Sequence, residues 1–231
     1  HADTWPPHNS NQDLFLYANQ LTHEKKTTEQ RLPYQVDFTT STGRNTRYER
    51  LGLHNIVDYY DDWDTRQSKL LSFTSAPFET SMELTGHPII SLSITCSESD
   101  AALFVYISEI DVNGKAHYVT EGMLRALHRA TSSPPKYLQS TWTYRSFLRQ
   151  DAKALKKGTI DHLEFALLPV SWVFNQGSQL RISIAGADAQ HFGQVPHGRA
   201  PKLEIICGGE DGSKICLPIR VHDASVRSEK N

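Results

Sequence analysis

An all-β sandwich of two antiparallel sheets is the fold that this sequence predicts, and three observations point to it. Apolar residues come in short runs that alternate with polar ones at a period of two, the pattern of strands with one face in a core. Gly, Pro, Ser, Asp and Asn fall at nearly every change of pattern. No stretch carries the periodicity of a long amphipathic helix. Roughly ten or more short strands follow, which two packed sheets accommodate. The pattern alone leaves a jelly roll and an immunoglobulin-like sandwich both open.

Taken in order, residues 1–13 read as a polar entry segment and Leu14 to Ala18 as a first strand. Residues 19–31 are charged and read as a surface loop, Leu32 to Phe38 as a short strand, and 39–46 as a turn-rich link. The stretch from Leu70 to Leu127 organises the chain and reads as four or five strands. Ile90, Leu92, Ile94 and Cys96 alternate with Ser91, Ser93, Thr95 and Ser97. Leu103, Val105 and Ile107 alternate with Phe104, Tyr106 and Ser108, so both faces are apolar and the strand belongs inside the sandwich. Asn113-Gly114 tolerates positive φ and suits a tight hairpin turn. Tyr137 to Asp151 reads as a strand followed by a loop. Leu163, Phe165 and Leu167 share one strand face, and Val170 to Asn175 with Leu180 to Ile184 read as a hairpin. A polar loop from Gly186 to Ala200 precedes two last strands, Leu203 to Cys207 and Ser213 to Val221, and a frayed tail at 222–231. The expected layout is one domain, 1–231, with 1–62 as irregular entry and loops, 63–221 as the sandwich core, and 222–231 as tail.

Length and charge narrow the function classes. At 231 residues the fold buries on the order of 70% of the unfolded chain's surface and needs no staple. Lys and Arg total 24 against 26 acidic residues, a net of −2, which gives no field to draw nucleic acid or an anionic membrane. No apolar run is long enough to span a bilayer. Three cysteines, an odd number, fit a reducing, cytoplasmic compartment rather than a disulfide framework. Cys207 and Cys216 flank a Gly-rich loop, and are either bridged across a hairpin or two small apolar strand residues. A first residue that is His1 rather than Met fits a fragment of a longer protein.

An ordered series of segments resembles a known family. Leu71-Ser-Phe-Thr-Ser-Ala-Pro77, Leu84-Thr-Gly86, Asp111-Val-Asn-Gly114, Glu121-Gly-Met-Leu-Arg-Ala126, Leu168-Pro-Val-Ser-Trp-Val-Phe-Asn-Gln-Gly177, Leu180-Arg-Ile-Ser-Ile184 and a weaker Pro196-His-Gly198 occur in that order, with Trp5-Pro-Pro7 as a start. They are similar to the C-terminal, non-catalytic domain of X-Pro dipeptidyl-peptidases and cocaine esterase-like (CocE/NonD) serine hydrolases. The resemblance implies a jelly-roll, galactose-binding-like sandwich. It also implies a partner, an N-terminal α/β-hydrolase catalytic domain of the same polypeptide, with a role in oligomer contacts. The implied work is to pack on that domain and help wall its substrate pocket. No nucleophile, acid or catalytic His of the triad is implied here, and no cofactor.

The residues themselves agree that little chemistry is local. No Gly-x-Ser-x-Gly elbow occurs. The eleven histidines include no His-Glu-x-x-His and no pair two apart; His191 and His197 share a loop and could meet. Glu121 and Arg125 read as an ion pair that orders a strand end. Asp58-Tyr-Tyr-Asp-Asp-Trp-Asp64 is the most distinctive cluster. It could ligate Ca²⁺, stack a sugar or aromatic acyl group on Trp63, or form a solvated acidic loop; its spacing is not that of an EF-hand. In the family, the loops leading into the jelly roll lie near the active-site mouth. By position, Tyr59, Tyr60 and Trp63 are therefore the candidate substrate-pocket or interdomain residues. The competing function is a stand-alone carbohydrate-binding module using surface Asp residues and a stacking platform drawn from Trp63, Trp142 or Trp172, of which Trp172 sits in a core-like segment.

Overall fold

The computed structural model describes residues 10–48, 60, 62–138, 140 and 142–221. Among the described residues thirteen strands carry the fold: β1 (Ser10–Tyr17), β2 (Gln20–Thr22), β3 (Gln30–Gln35), β4 (Leu71–Thr74), β5 (Met82–Gly86), β6 (Ile89–Cys96), β7 (Ala102–Ile110), β8 (Ala116–Arg125), β9 (Asp161–Ala166), β10 (Val170–Phe174), β11 (Gln179–Ala185), β12 (Lys202–Cys207) and β13 (Lys214–Val221). One short helix, α1 (Trp63–Arg66), precedes β4. No described helix is long and apolar enough to cross a membrane.

The fold is the expected jelly-roll β-sandwich. Strands β4, β11, β7 and β8 lie side by side as one antiparallel sheet. The second sheet gathers β3, β12, β6 and β9 with β1, β13, β5 and β10. A single parallel bridge, Gln20 to Thr74, joins β2 to β4 at one border. Between the sheets, Phe73, Leu103, Val105, Ile107, Ile182 and Ile184 meet Leu16, Ile90, Leu92, Ile94, Leu163, Ile205 and Ile215, all nearly solvent-free. Burial on this scale is the main stabilising term of a chain this size.

Four expectations change. The core begins at Ser10 rather than residue 63: β1 pairs with β13 over six residues, and Leu14, Leu16, Leu21, Tyr34 and Val36 are core. That pairing joins strands some 200 positions apart in sequence, which local pattern does not reveal. β1 also stops at Tyr17, because Ala18 and Asn19 take φ of 47° and 63° and turn the chain into β2. β10 and β11 are not a hairpin; β10 pairs with β5 in one sheet and β11 with β4 and β7 in the other, so the turn between them crosses the sandwich. Residues 137–151 form no strand among those described, and hold one 3₁₀ turn at Arg149–Asp151. The 222–231 tail lies outside the described residues.

The cysteines are all free. β12 and β13 do not pair with each other but lie along the same side of β6, at Ile94–Cys96 and Ile89–Ser91, so Cys207 and Cys216 are not opposite one another. Burial pushes the Cys207 thiol up to about 12.

Candidate functional site

The alternation along β7 divides two environments. Leu103, Val105 and Ile107 enter the main core, while Phe104, Tyr106, Ser108 and Ile110 face outward. Their partners on β8 share that outer face: Met123 opposite Phe104, Glu121 opposite Tyr106, Tyr118 opposite Ser108, and Ala116 opposite Ile110. In a regular strand, residues three apart such as Tyr118 and Glu121 point to opposite faces. The register shift between Ile107 and Ser108 puts an extra residue into β8, and the bulge returns Tyr118 to the side of Glu121.

Chain from outside the sheet covers this face. Trp63 of α1 is 1% exposed, lies 4.9 Å from Tyr106 and donates its indole N–H to Ser108 Oγ at 2.7 Å. Tyr60 stacks on Tyr118 at 3.8 Å and meets Trp63 edge-on. It is held at φ 56°, a region that disfavours bulky side chains, with its N–H donating to Asn45 O at 2.7 Å.

At the centre is Glu121, whose side chain is 2% exposed. Its Oε1 accepts from the Tyr60 hydroxyl at 2.8 Å and the Tyr48 hydroxyl at 3.0 Å, and Arg47 Nε lies 3.0 Å away as its ion-pair partner. Arg47 Nη2 also donates to the Tyr118 hydroxyl. Burial raises the Glu121 carboxyl, with Arg47 and the two hydroxyls only partly offsetting it. The hydroxyls of Tyr48, Tyr60, Tyr106 and Tyr118 are raised as well, by burial first and by the neighbouring Glu121 charge.

Around this anchored floor the surface is aromatic and concave. Tyr48 keeps 39% of its surface exposed and packs against His191 and Phe192, each at 5.2 Å; Phe192 continues onto Phe104 at 5.1 Å. An open cleft of about 1000 Å³ runs between Phe104, Met123, Phe147, Phe192 and the Val195–His197 loop. A smaller hollow of about 380 Å³ lies between Tyr48, His87, Met123, Trp142 and Leu168. Met123 borders both. Phe147 (62% exposed), Leu148 (53%), Leu168 (39%) and Trp142 (37%) extend the apolar surface.

Of the residues singled out from sequence, Tyr59 lies outside the described residues. Tyr60 and Trp63 are brought together, but as interior groups at 3% and 1% exposure, so any contact they support is made through the residues they hold in place. Trp63 is thereby unavailable as a sugar platform. Trp172 packs against the core and donates to Glu109 Oε2 at 2.9 Å. Trp142 is half-exposed and stacked on His87 at 4.3 Å. Of the acidic stretch, Asp58 and Asp61 lie outside the described residues. Asp62 pairs with Arg66 at 2.6 Å, while Asp64 accepts from Gln67 and Ala116. Glu121 and Arg125 are not a pair, because four residues of strand span about 13 Å; Arg125 bonds Asp100 at 2.6 Å instead. His191 bonds Gly43 O at 2.7 Å, and His197 borders the large cleft. Arg47, Tyr48, Phe147 and Phe192 carried no signal in the sequence beyond their residue types, and Met123 only its place in the Glu121–Ala126 segment.

Among the described residues, the fold and this face define a β-sandwich module with an aromatic, concave surface. The chain belongs to the X-Pro dipeptidyl-peptidase C-terminal non-catalytic domain family, which it matches over residues 1–210. It is 40% identical over 221 residues to proteins of Mycobacterium bovis and Mycobacterium tuberculosis that carry the provisional name serine esterase, covering 94% of this chain and 35% of theirs. Among solved structures it resembles a CocE/NonD family hydrolase from Staphylococcus aureus, with a TM-score of 0.70 and 20% identity over 96% of this chain and 38% of that one. An aminopeptidase from a marine sediment archaeon gives a TM-score of 0.71 at 16% identity, over 95% of this chain and 38% of that one. The chain thus spans about a third of the length of these relatives.

Proposed function

We propose that this chain is the accessory part of a serine hydrolase acting on esters or amides, and that the outer face of the β4-β11-β7-β8 sheet packs on an α/β-hydrolase catalytic domain. The cleft beside Met123 and Phe192 would help wall the substrate pocket. The observation that carries this reading is the continuous aromatic surface around Tyr48, Met123, Phe147 and Phe192. A concave apolar surface rimmed by polar residues is the form a protein or ligand contact takes. Beneath it, the bonded Glu121 cluster fixes the position of Tyr48, as a contact surface requires. Chemistry would proceed through a serine acylated elsewhere in the polypeptide, with this module supplying shape.

The test is Met123→Glu, made both in the full polypeptide and in the 231-residue chain. In the full polypeptide ester hydrolysis should fall roughly tenfold or more in kcat/KM, and thermal unfolding should separate into two transitions. The isolated chain should keep its fold. Unchanged kinetics and a single transition in the full polypeptide would place the docking face elsewhere.

A further inference from the structure

On the outer surface of the second sheet there is a polar cleft of about 430 Å³. Strand register sets its floor. Lys214, Ser91 and Glu164 form one row across β13, β6 and β9, and Ser93 and His162 are partners in the next. Ser91 Oγ donates to Glu164 Oε2 at 3.3 Å, and Ser93 Oγ meets His162 Nδ1 at 2.9 Å. Arg129 and Arg145 line it, and the Glu210–Gly212 turn enters from the β13 side.

Most charges here are already committed. Arg129 bonds Asp161 at 2.8 Å and the carbonyl of Ala154 at 3.1 Å. Lys214 bonds Asp13 at 2.6 Å, and Asp211 lies 3.6 Å from His162. Arg145 differs. It is 7% exposed, its Nη2 donates to the Glu164 carbonyl, and its Nε–H has no acceptor. A buried guanidinium donor without a partner is costly, and the guanidinium edge matches a carboxylate. An anion alone would meet Glu164, Glu210 and Asp211, and a cation alone would meet Arg145, Arg129 and Lys214. A molecule bearing both charges suits the distribution.

We propose that this cleft binds a small zwitterion of amino-acid to dipeptide size, its carboxylate on Arg145 and its ammonium toward Glu210 and Asp211. The hydroxyls of Ser91 and Ser93 line the floor beneath it. The floor of the site belongs to the second sheet, not to the sheet proposed to dock.

Calorimetric titration of the 231-residue chain with L-alanyl-L-alanine tests this, beside the N-acetylated dipeptide and the dipeptide amide. The free dipeptide should bind with a Kd on the order of 1 mM or tighter, and blocking either end should weaken binding roughly tenfold. Arg145→Gln should abolish it. Because that arginine is buried, Asp211→Asn provides a second variant at a half-exposed position; it should weaken binding roughly threefold or more and leave the melting temperature unchanged. No binding by the free dipeptide would overturn the proposal, as would equal binding of the blocked forms, or full affinity in a folded Arg145→Gln chain.

Discussion

Both faces of the β4-β11-β7-β8 sheet bury large side chains, yet they are built from different materials. The inner face is aliphatic: Leu103, Val105, Ile107, Ile182 and Ile184 have no polar atoms to satisfy. On the outer face, Tyr60, Trp63, Tyr106 and Tyr118 surround Glu121, and hydroxyl, indole and guanidinium groups need partners of the right geometry. Non-directional burial tolerates exchange of similar shapes, whereas a buried polar network tolerates few losses. The inner face therefore specifies the fold, and the outer face specifies a surface.

That contrast can be broken at several points. Trp63→Ala should have the largest effect, about 4 kcal/mol in denaturant unfolding, because it opens a cavity and leaves Ser108 without its donor. A loss below that of an inner Ile107→Val change would put Trp63 outside the packed network. Glu121→Ala should cost about 3 kcal/mol, the low end for breaking a buried pair, since Arg47 is 30% exposed and recovers some hydration.

Removing only the charge sharpens the comparison. With Glu121 raised in the folded state, the native chain holds its proton more tightly than the unfolded chain does. The stability this contributes is complete below the unfolded pKa and is lost as pH rises through the higher folded value. Melting curves of Glu121→Gln should therefore lack the decline that the parent shows over that interval; parallel curves would assign the slope to another group. Tyr48→Phe should cost about 1 kcal/mol, one of the two hydroxyl bonds that Glu121 accepts. Ile107→Val on the inner face should cost a similar or smaller amount, about 0.5–1.5 kcal/mol, and leave the aromatic surface untouched.

The same two faces differ in how far the sequence discloses them. Strict alternation at Leu103, Val105 and Ile107, and at Ile90, Leu92 and Ile94, announces inner-facing strands because side-chain direction follows a period of two. The Glu121 cluster escapes that rule twice. The bulge in β8 breaks the period between Tyr118 and Glu121, and the other members, Arg47, Tyr48 and Tyr60, arrive from segments more than 60 positions away. Tyr60 and Trp63 stood out as rings among carboxylates, but whether such rings point inward depends on a sheet face that no local pattern reports. The crossing from β10 to β11 was hidden likewise, since both strands alternate correctly and differ only in which sheet receives them.

The pairing of β1 with β13 bears on how the molecule is made. β13 contacts β1, β5 and β6, so three earlier strands lack a neighbour until β13 leaves the ribosome. During synthesis β1 waits with an open edge through nearly the whole length of the chain, and open edges recruit other chains. The charged run from His23 to Arg31, which follows β1 and β2 directly, keeps a hydrated segment beside that edge during the wait.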